Sequence, residues 1–360
     1  MGLRLSCQAA QLSTITCLQQ QQRSNNNLDS SKYSRPVKEG FTKNPLFKLA
    51  LLALPISILI YQYRHGWHDS NNGPFNPPKF TPFEIVKREE VSPTSILLTL
   101  RPISKMLLPY PLQDPYKLYW ERGTWSVEVK QPELQIARSY TPLPSDDEEH
   151  PADLRFLIRK EKKGEVSGYL HNLPLNGKVE LRGPNPEVDI PEEVEDVVFL
   201  AGGTGIAPAL QVVYTLLERR NAGQKPKIQI IWANRTREDC RMGGNKSLLQ
   251  SEEPVGLVVR MLEELQRKHP ENLEVTYLVD EENTFIDRKK ICQVLKTRSD
   301  VRSQPISTRI DSKLLFVSGP EGFINYNAGP KKWEGGKEGQ GELGGILGRM
   351  RVRDWKIWKL

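Results

Sequence analysis

One stretch constrains the fold of this chain more than any other. Val197-Val198-Phe199-Leu200-Ala201 runs straight into Gly202-Gly203-Thr204-Gly205 and then Ile206-Ala207-Pro208. A short run that is apolar at every position is the pattern of a strand covered on both faces, as in a parallel sheet. The glycines allow a tight turn, and a proline suits the first turn of a helix because its missing N–H is not needed there. A helix is expected over Pro208–Asn221, with Leu210, Val213 and Leu217 on one face and Gly223 just past its end. Strand, glycine turn and helix N-terminus together present free N–H groups and the positive end of a helix dipole to a pyrophosphate. Pro208 takes the place of the third glycine in the usual GxGxxG pattern. The strand before and the helix after therefore carry the signal, more than the string itself.

The rhythm after Val194 alternates. Strands are expected at Val197–Ala201, Lys227–Ala233, Leu273–Val279 and Lys313–Ser318, with helices at Val255–Lys268 and Asp287–Lys296 between them. Such repetition means βαβ units and a parallel sheet. The preceding part reads differently. Phe83–Lys87, Ser95–Arg101, Trp125–Lys130, Ile136–Thr141, Leu154–Lys160 and Lys178–Arg182 are β-propensity runs separated by turn residues, with one helical piece at Val166–Leu173. Six short strands predict a small antiparallel β-barrel. The fold class is thus two-domain: the barrel over residues 80–190, then an α/β nucleotide-binding domain over 191–360. Residues 102–123 read as a loop insertion, and the Gly-rich segment from Gly335 to Gly348 as a flexible insertion before a closing strand at Val352–Trp358.

The first eighty residues read as an address. Residues 1–45 are rich in Gln, Ser and Asn, and hold six basic residues against Asp29 and Glu39. That is the composition of a mitochondrial leader; a disordered cytosolic tail is the alternative. It also holds four of the seven excess positive charges of the chain. The remainder is nearly neutral and a poor polyanion binder, so no nucleic acid is expected as a partner. Residues 46–63 contain an uncharged apolar stretch, Leu49–Tyr63, which Lys48 extends by snorkelling; Tyr61, Tyr63 and Trp67 sit where an aromatic belt would. A single transmembrane helix is expected, with residues 64–79 as a linker. The excess of basic residues before the span keeps the N-terminus on the matrix side of a mitochondrial inner membrane and sends the catalytic part to the intermembrane space. The four cysteines, at positions 7, 17, 240 and 292, share no ligand spacing, and none of the five histidines sits in a ligand pattern, so no metal or haem site is expected.

Three further motifs carry chemistry. In Arg138-Ser139-Tyr140-Thr141, Arg138 and Tyr140 fall on one strand face, able to hold a phosphate and a ring of the same ligand. Gly164-Glu165-Val166-Ser167 opens a short helix and is either a second phosphate cradle or a plain capped start. Ser318-Gly319-Pro320-Glu321-Gly322-Phe323 ends the last parallel strand, where ligands of such sheets bind.

The order RxYT, GxxS, GGTGIAP and GPxGF, over residues 80–323, resembles the ferredoxin–NADP reductase superfamily, and most of all its NADH–cytochrome b5 reductase-like branch. The resemblance implies an FAD-binding barrel followed by a domain for NADH or NADPH. It implies that Arg138 holds the FAD pyrophosphate, Tyr140 packs on the flavin, Thr141 lies near flavin N5, and Gly164, Val166 and Ser167 wrap the FAD phosphates. Gly202, Gly203, Thr204 and Gly205 are implied for the nicotinamide nucleotide, with Gly319, Pro320 and Phe323 bordering the nicotinamide. Asp239 falls where this branch keeps an acid that favours NADH, whereas Arg235 and Arg237 nearby suit a 2′-phosphate. Family members carry Cys before the Gly-Pro; here it is Ser318, so hydride transfer is expected to survive but slow.

The implied electron acceptor is a haem protein. The overall layout resembles fungal mitochondrial flavoproteins that assist haem attachment to cytochrome c, so the cytochrome c maturation machinery is one acceptor and a cytochrome b5-type protein the other. A standard b5 reductase of the mitochondrial outer or endoplasmic reticulum membrane, and a redox-silent membrane scaffold that kept the fold, are the alternatives. Trp355 or Trp358 either stacks near a flavin or packs the last strand. Asp146-Asp147-Glu148-Glu149 is a solvated loop or a face for a basic redox partner.

Overall fold

The computed structural model describes residues 77–103, 114–145, 147–220, 225–240, 256–296 and 312–360. The expected leader, the apolar stretch 46–63 and all but the last three residues of the linker lie outside the described residues. Among the described residues, no helix is long and apolar enough to cross a membrane.

The first part is a six-stranded antiparallel sheet. Its strands are β1 (Thr81–Ser92), β2 (Ser95–Pro102), β3 (Gly123–Gln131), β4 (Ile136–Tyr140), β5 (Leu154–Arg159) and β6 (Lys178–Asp189), in spatial order β4-β3-β6-β1-β2-β5. The sheet curls into a half-barrel. Among the described residues, its two edge strands are linked by a bridge beyond the end of β4, Leu143 to Arg155, with the Leu143 N–H donating to Arg155 O at 2.8 Å. Strand β2, inside the edge strand β5, is covered on both faces. Ile96, Leu98 and Leu100 point into the half-barrel core, and Leu97 points the other way into a second core shared with the α/β part. Alternate residues of a strand face opposite sides, so SILLTL is apolar at successive positions because both sides are covered.

Two elements depart from expectation here. Strand β6 runs to Asp189, through Gly183, Pro184 and Pro186. Prolines are tolerated because the β3–β6 ladder shifts register between Thr124 and Trp125 and again between Ser126 and Glu128. The supposed loop 102–123 ends in a short helix, α1 (Lys117–Arg122). Its anchor is aromatic: Trp120 meets Trp125 edge-on at 4.8 Å, and the preceding Tyr116 stacks on the same indole at 5.5 Å. Helix α2 (Glu165–Asn172) lies between β5 and β6 in the chain and buries Val166, Ser167 and Leu170.

The second part is a five-stranded parallel sheet of β7 (Asp196–Gly202), β8 (Lys227–Asn234), β9 (Leu273–Val279), β10 (Lys313–Ser318) and β13 (Lys356–Lys359), ordered β13-β10-β7-β8-β9. A 3-10 turn (Gly203–Gly205) joins β7 to α3 (Ile206–Val213), which continues more loosely wound through Arg219. Every residue of α3 is buried. A helix apolar all round belongs between two layers, and α3 is sandwiched between the parallel sheet and the half-barrel. By contrast α4 (Leu257–Lys268) buries one stripe, Val258, Val259, Leu262 and Leu265. Helix α5 (Arg288–Lys296) follows β9.

Three side chains from α3 and its extension fasten the two layers through backbone carbonyls of the half-barrel. The Gln211 carboxamide donates to Trp125 O (3.1 Å) and Pro142 O (2.9 Å) and accepts from the Trp125 N–H (3.0 Å). Thr215 donates to Trp120 O at 2.6 Å. The Arg220 guanidinium reaches the carbonyls of Glu121, Arg122, Ile190 and Pro191.

The Gly-rich tail is ordered structure. Helix α6 (Glu321–Ala328) precedes a hairpin of β11 (Lys332–Glu334) and β12 (Lys337–Gly339), then α7 (Gly345–Arg349). Gly335 and Gly336, at φ +60° and +76°, make the hairpin turn. The final strand is shorter than expected and pairs with β10 in parallel. It also ties down the hairpin base: Lys359 Nζ donates to Pro330 O and Glu342 O at 2.8 and 2.7 Å, and Gln340 bonds both the N–H and the carbonyl of Lys359. Trp355 packs in the core on one side of the sheet and Trp358 against the core on the other. Both tryptophans therefore serve packing of the last strand.

Candidate functional site

A cleft of about 330 Å³ runs between the half-barrel and the C-terminal edge of the parallel sheet. Its half-barrel wall is Arg138, Ser139, Tyr140 and Thr141 at the end of β4, Leu157 and Arg159 on β5, and Glu161 with Gly164–Ser167 at the start of α2. Its other wall is Thr204, Gly205, Ala207 and Pro208 with Ser318 and Gly319. Four motifs spread over some 180 positions of sequence thus share one cavity.

On the half-barrel wall, Arg138 is exposed, its Nη1 donating to Ala137 O at 2.8 Å, which leaves most of its fork free for a phosphate. Tyr140 packs against the half-barrel core. Burial pushes its phenol up to about 12, with Arg138 opposing and Glu161 adding to the shift, so Tyr140 stays neutral at physiological pH and offers a ring face. Gly164 precedes α2 with no side-chain cap, so the N–H groups of the first turn stand open to the cleft. Ser167 serves the loop itself: its hydroxyl donates to Gly164 O and accepts from the Glu161 N–H, both at 3.1 Å.

The other wall is built by close backbone contact. Gly203 adopts φ +53°, which turns the chain out of β7. The Trp232 indole N–H donates to Gly203 O at 2.8 Å and fixes that turn. Gly202 packs under the Phe323 ring, and Gly205 lies directly against the backbone of Ser318. Gly202 is therefore behind the cleft surface, Gly203, Pro320 and Phe323 lie outside its lining with Pro320 exposed, and Thr204, Gly205, Ser318 and Gly319 form it. Ser318 is buried at the end of β10, beside Ala201 of β7.

Asp239 is placed differently from the other expected residues. Its side chain is 6% exposed and faces the half-barrel, where Ser92 Oγ and Thr94 Oγ1 both donate to Oδ1 at 3.0 Å and Arg159 Nη2 lies 3.4 Å from Oδ2. Of the two arginines that suit a 2′-phosphate, Arg235 is exposed and Arg237 is committed to acids. Its Nε donates to Glu282 Oε1 at 2.6 Å and its backbone N–H to Glu281 Oε1 at 2.6 Å. A 2′-phosphate would have to displace a carboxylate from that guanidinium and sit among acids, which disfavours it. Arg159 was not singled out from sequence. A lone Arg in an apolar strand has no motif, and only the fold turns it into the cleft.

These walls suit two phosphorylated, ring-bearing ligands. Each has a helix start with no side-chain cap, Gly164 before α2 and Gly205 before α3, and Tyr140 lines the same cavity. Among the described residues, no group of three His, Cys, Asp or Glu side chains could hold a metal ion.

Comparison with known proteins agrees with both halves. Residues 112–190 match the oxidoreductase FAD-binding domain family and residues 199–328 the oxidoreductase NAD-binding domain family. NADH-cytochrome b5 reductase 1 of Scheffersomyces stipitis is 30% identical over 240 residues, covering 66% of this chain and 74% of that protein. The chain belongs to the NADH–cytochrome b5 reductase family. It is an FAD-dependent nicotinamide-nucleotide oxidoreductase of the ferredoxin–NADP reductase fold. The cytochrome c mitochondrial import factor CYC2 of Saccharomyces cerevisiae is 27% identical over 238 residues, covering 52% of this chain and 64% of that protein. The CS-b5R domains of human Ncb5or share the fold, with a TM-score of 0.51 at 18% identity, covering 78% of this chain and 69% of that one. The chain spans about two thirds of the length of the first two curated relatives, 67% and 64%.

Proposed function

We propose that this b5-reductase-family chain is a membrane-anchored reductase that passes electrons from NADH through FAD to a haem protein, keeping haem iron ferrous for attachment to cytochrome c. The observation that carries the reading is the single cleft shared by Arg138–Thr141, Gly164–Ser167, Thr204–Gly205 and Ser318–Gly319.

FAD, when bound, accepts two electrons together from the nicotinamide and releases them singly. Arg138 and the open N–H groups at the start of α2 hold its phosphates, with Gly164, Val166 and Ser167 forming the wall. Tyr140 packs on the flavin, and Thr141 lies toward the reacting edge. Thr204 and Gly205, with the α3 N-terminus, hold the pyrophosphate of the nicotinamide nucleotide; Gly202 and Gly203 shape that turn from behind. Gly319 borders the nicotinamide, while Pro320 and Phe323 support it. Ser318, buried in the cleft wall, would back the nicotinamide and help exclude water. NADH is favoured over NADPH at Arg237, whose guanidinium Glu282 holds and whose backbone N–H donates to Glu281.

The apolar stretch 46–63 supports anchoring, and the basic leader supports a mitochondrial inner membrane with the catalytic part in the intermembrane space. Similarity to a cytochrome c mitochondrial import factor supports a mitochondrial role linked to cytochrome c. A b5-type acceptor at an outer or endoplasmic reticulum membrane is the second reading, favoured by the NADH–cytochrome b5 reductases among the relatives.

The test is direct. Purified full chain is expected to be yellow with FAD and to be bleached anaerobically by NADH; reduction of haem-loaded cytochrome c peptide then separates the haem-attachment role from reduction of cytochrome b5. Colourless protein that takes up no FAD sinks the enzyme. Ser318→Cys is expected to speed flavin reduction by NADH several-fold, about 1 kcal/mol in the barrier, because the larger sulfur fills the space behind the nicotinamide. Stopped-flow bleaching measures it, and an unchanged rate removes Ser318 from the reacting geometry.

A further inference from the structure

The turn between β1 and β2 reaches across to the α/β part and grips Asp239. Both hydroxyls of that turn, Ser92 and Thr94, donate to one carboxylate oxygen, and the Thr94 carbonyl accepts from the Lys160 N–H at 2.7 Å, beside Arg159. The second oxygen faces the Arg159 guanidinium at 3.4 Å and has no other partner among the described residues. The Arg159 side chain is 15% exposed, and what remains exposed lines the cleft. A Cβ built on Gly203 would come within 3.5 Å of Arg159 Nη1, so the guanidinium stands at the mouth of the Gly203–Gly205 turn.

We infer that Asp239 is a positioning residue, which the Ser92 and Thr94 hydroxyls orient so that its carboxylate holds Arg159 against the Gly203–Gly205 turn, where the guanidinium adds a cation to the pyrophosphate of the nicotinamide nucleotide. The inference rests on the proposed function, and it separates Asp239 from any contact with the adenosine ribose. An arginine on a strand has many rotamers, and a fixed carboxylate behind it selects one. Oδ1 accepts from both hydroxyls and Oδ2 is buried against Arg159, so Asp239 presents little acceptor surface to a ribose hydroxyl.

A double-mutant cycle on the full-length holoenzyme tests this. Asp239→Asn keeps the side-chain shape and removes the charge; Arg159→Ala removes the cation. Each is expected to raise KM for NADH about 10-fold with kcat within about twofold of wild type, and the double variant is expected to match the worse single variant. Inhibition by adenosine, which carries the ribose and no phosphate, is expected to be unchanged in Asp239→Asn. Ser92→Ala combined with Thr94→Val keeps the charge pair and loosens its grip, so a smaller KM rise is expected, again without change for adenosine. Loss of adenosine affinity in parallel with NADH shows direct ribose contact and overturns the inference. Effects of Asp239→Asn and Arg159→Ala that multiply overturn it as well. Wild-type protein that NADH cannot reduce overturns the proposed function instead, and is read in the same assay before any variant.

Discussion

Gly205→Ala is expected to cut flavin reduction by NADH about 100-fold or more, with FAD binding retained. The backbone at Gly205 is ordinary, with φ −61°. An alanine suffers no conformational penalty there, and the effect is wholly one of space. A Cβ would fall 2.3 Å from Ser318 O, 2.5 Å from Ser318 C and 2.7 Å from Gly319 N. All three are backbone atoms at the end of a parallel strand, and none can swing away. The turn and the strand end must separate by roughly an ångström, which misplaces the nicotinamide; a shift of that size costs about two orders of magnitude in rate. Stopped-flow bleaching of the flavin, with FAD content read from the absorbance of the same sample, measures both halves of the expectation. Gly322→Ala is the control, because nothing lies within 4 Å of its Cβ position. Equal rates in the two variants would mean that the strand ends do not meet as described.

Gln211→Leu is expected to destabilise the protein by about 3 kcal/mol or more. Gln211 is fully buried and satisfies three backbone groups of the half-barrel, the Trp125 N–H, the Trp125 carbonyl and the Pro142 carbonyl. Leucine fills similar volume and leaves all three without a partner in a closed interface. Each orphaned group costs about 1–3 kcal/mol. Urea unfolding followed by tryptophan fluorescence is a suitable measurement, since Trp125 and Trp120 sit at the interface. The midpoint is expected to fall with little change in slope. Thr215→Val removes one bond to the same layer and is expected to cost about 1 kcal/mol. Similar midpoints for the two variants would show that the carboxamide is replaceable. Pro142 directly follows Thr141, so loosening Gln211 also frees the end of β4 that lines the cleft.

Local pattern carried much of this protein. The apolar run before Gly202 declared a strand covered on both faces, and β7 is one. The β-propensity runs located all six strands of the half-barrel, although β1 and β6 extend well beyond the expected ends. Those extensions were hidden because charged residues in β1 and prolines in β6 read as breaks, while the ladder partner and its bulges accommodate them. Helix α1 was hidden because six residues among prolines have no helical period of their own; its stability comes from Trp125, supplied by another strand. The glycines near the C-terminus read as flexible because composition cannot register Lys359 and Gln340 tying the hairpin base from a distance.

The site divides in the same way. Glycines before a helix, an arginine and tyrosine two apart on a strand, and a Ser-Gly-Pro after a strand each announce their chemistry over a few residues, because turn geometry and strand alternation are short-range. Those were legible in order along the chain, and they specify the cofactors. Which motifs face one another, that Asp239 turns to Ser92 and Thr94, that Arg159 enters the cleft, and that Arg237 is neutralised by Glu282 were decided only by tertiary structure. The physical reason is separation: these partners lie some 45 to 150 positions apart, and an ion pair or hydroxyl bond at 3 Å leaves no periodic trace in the residues between.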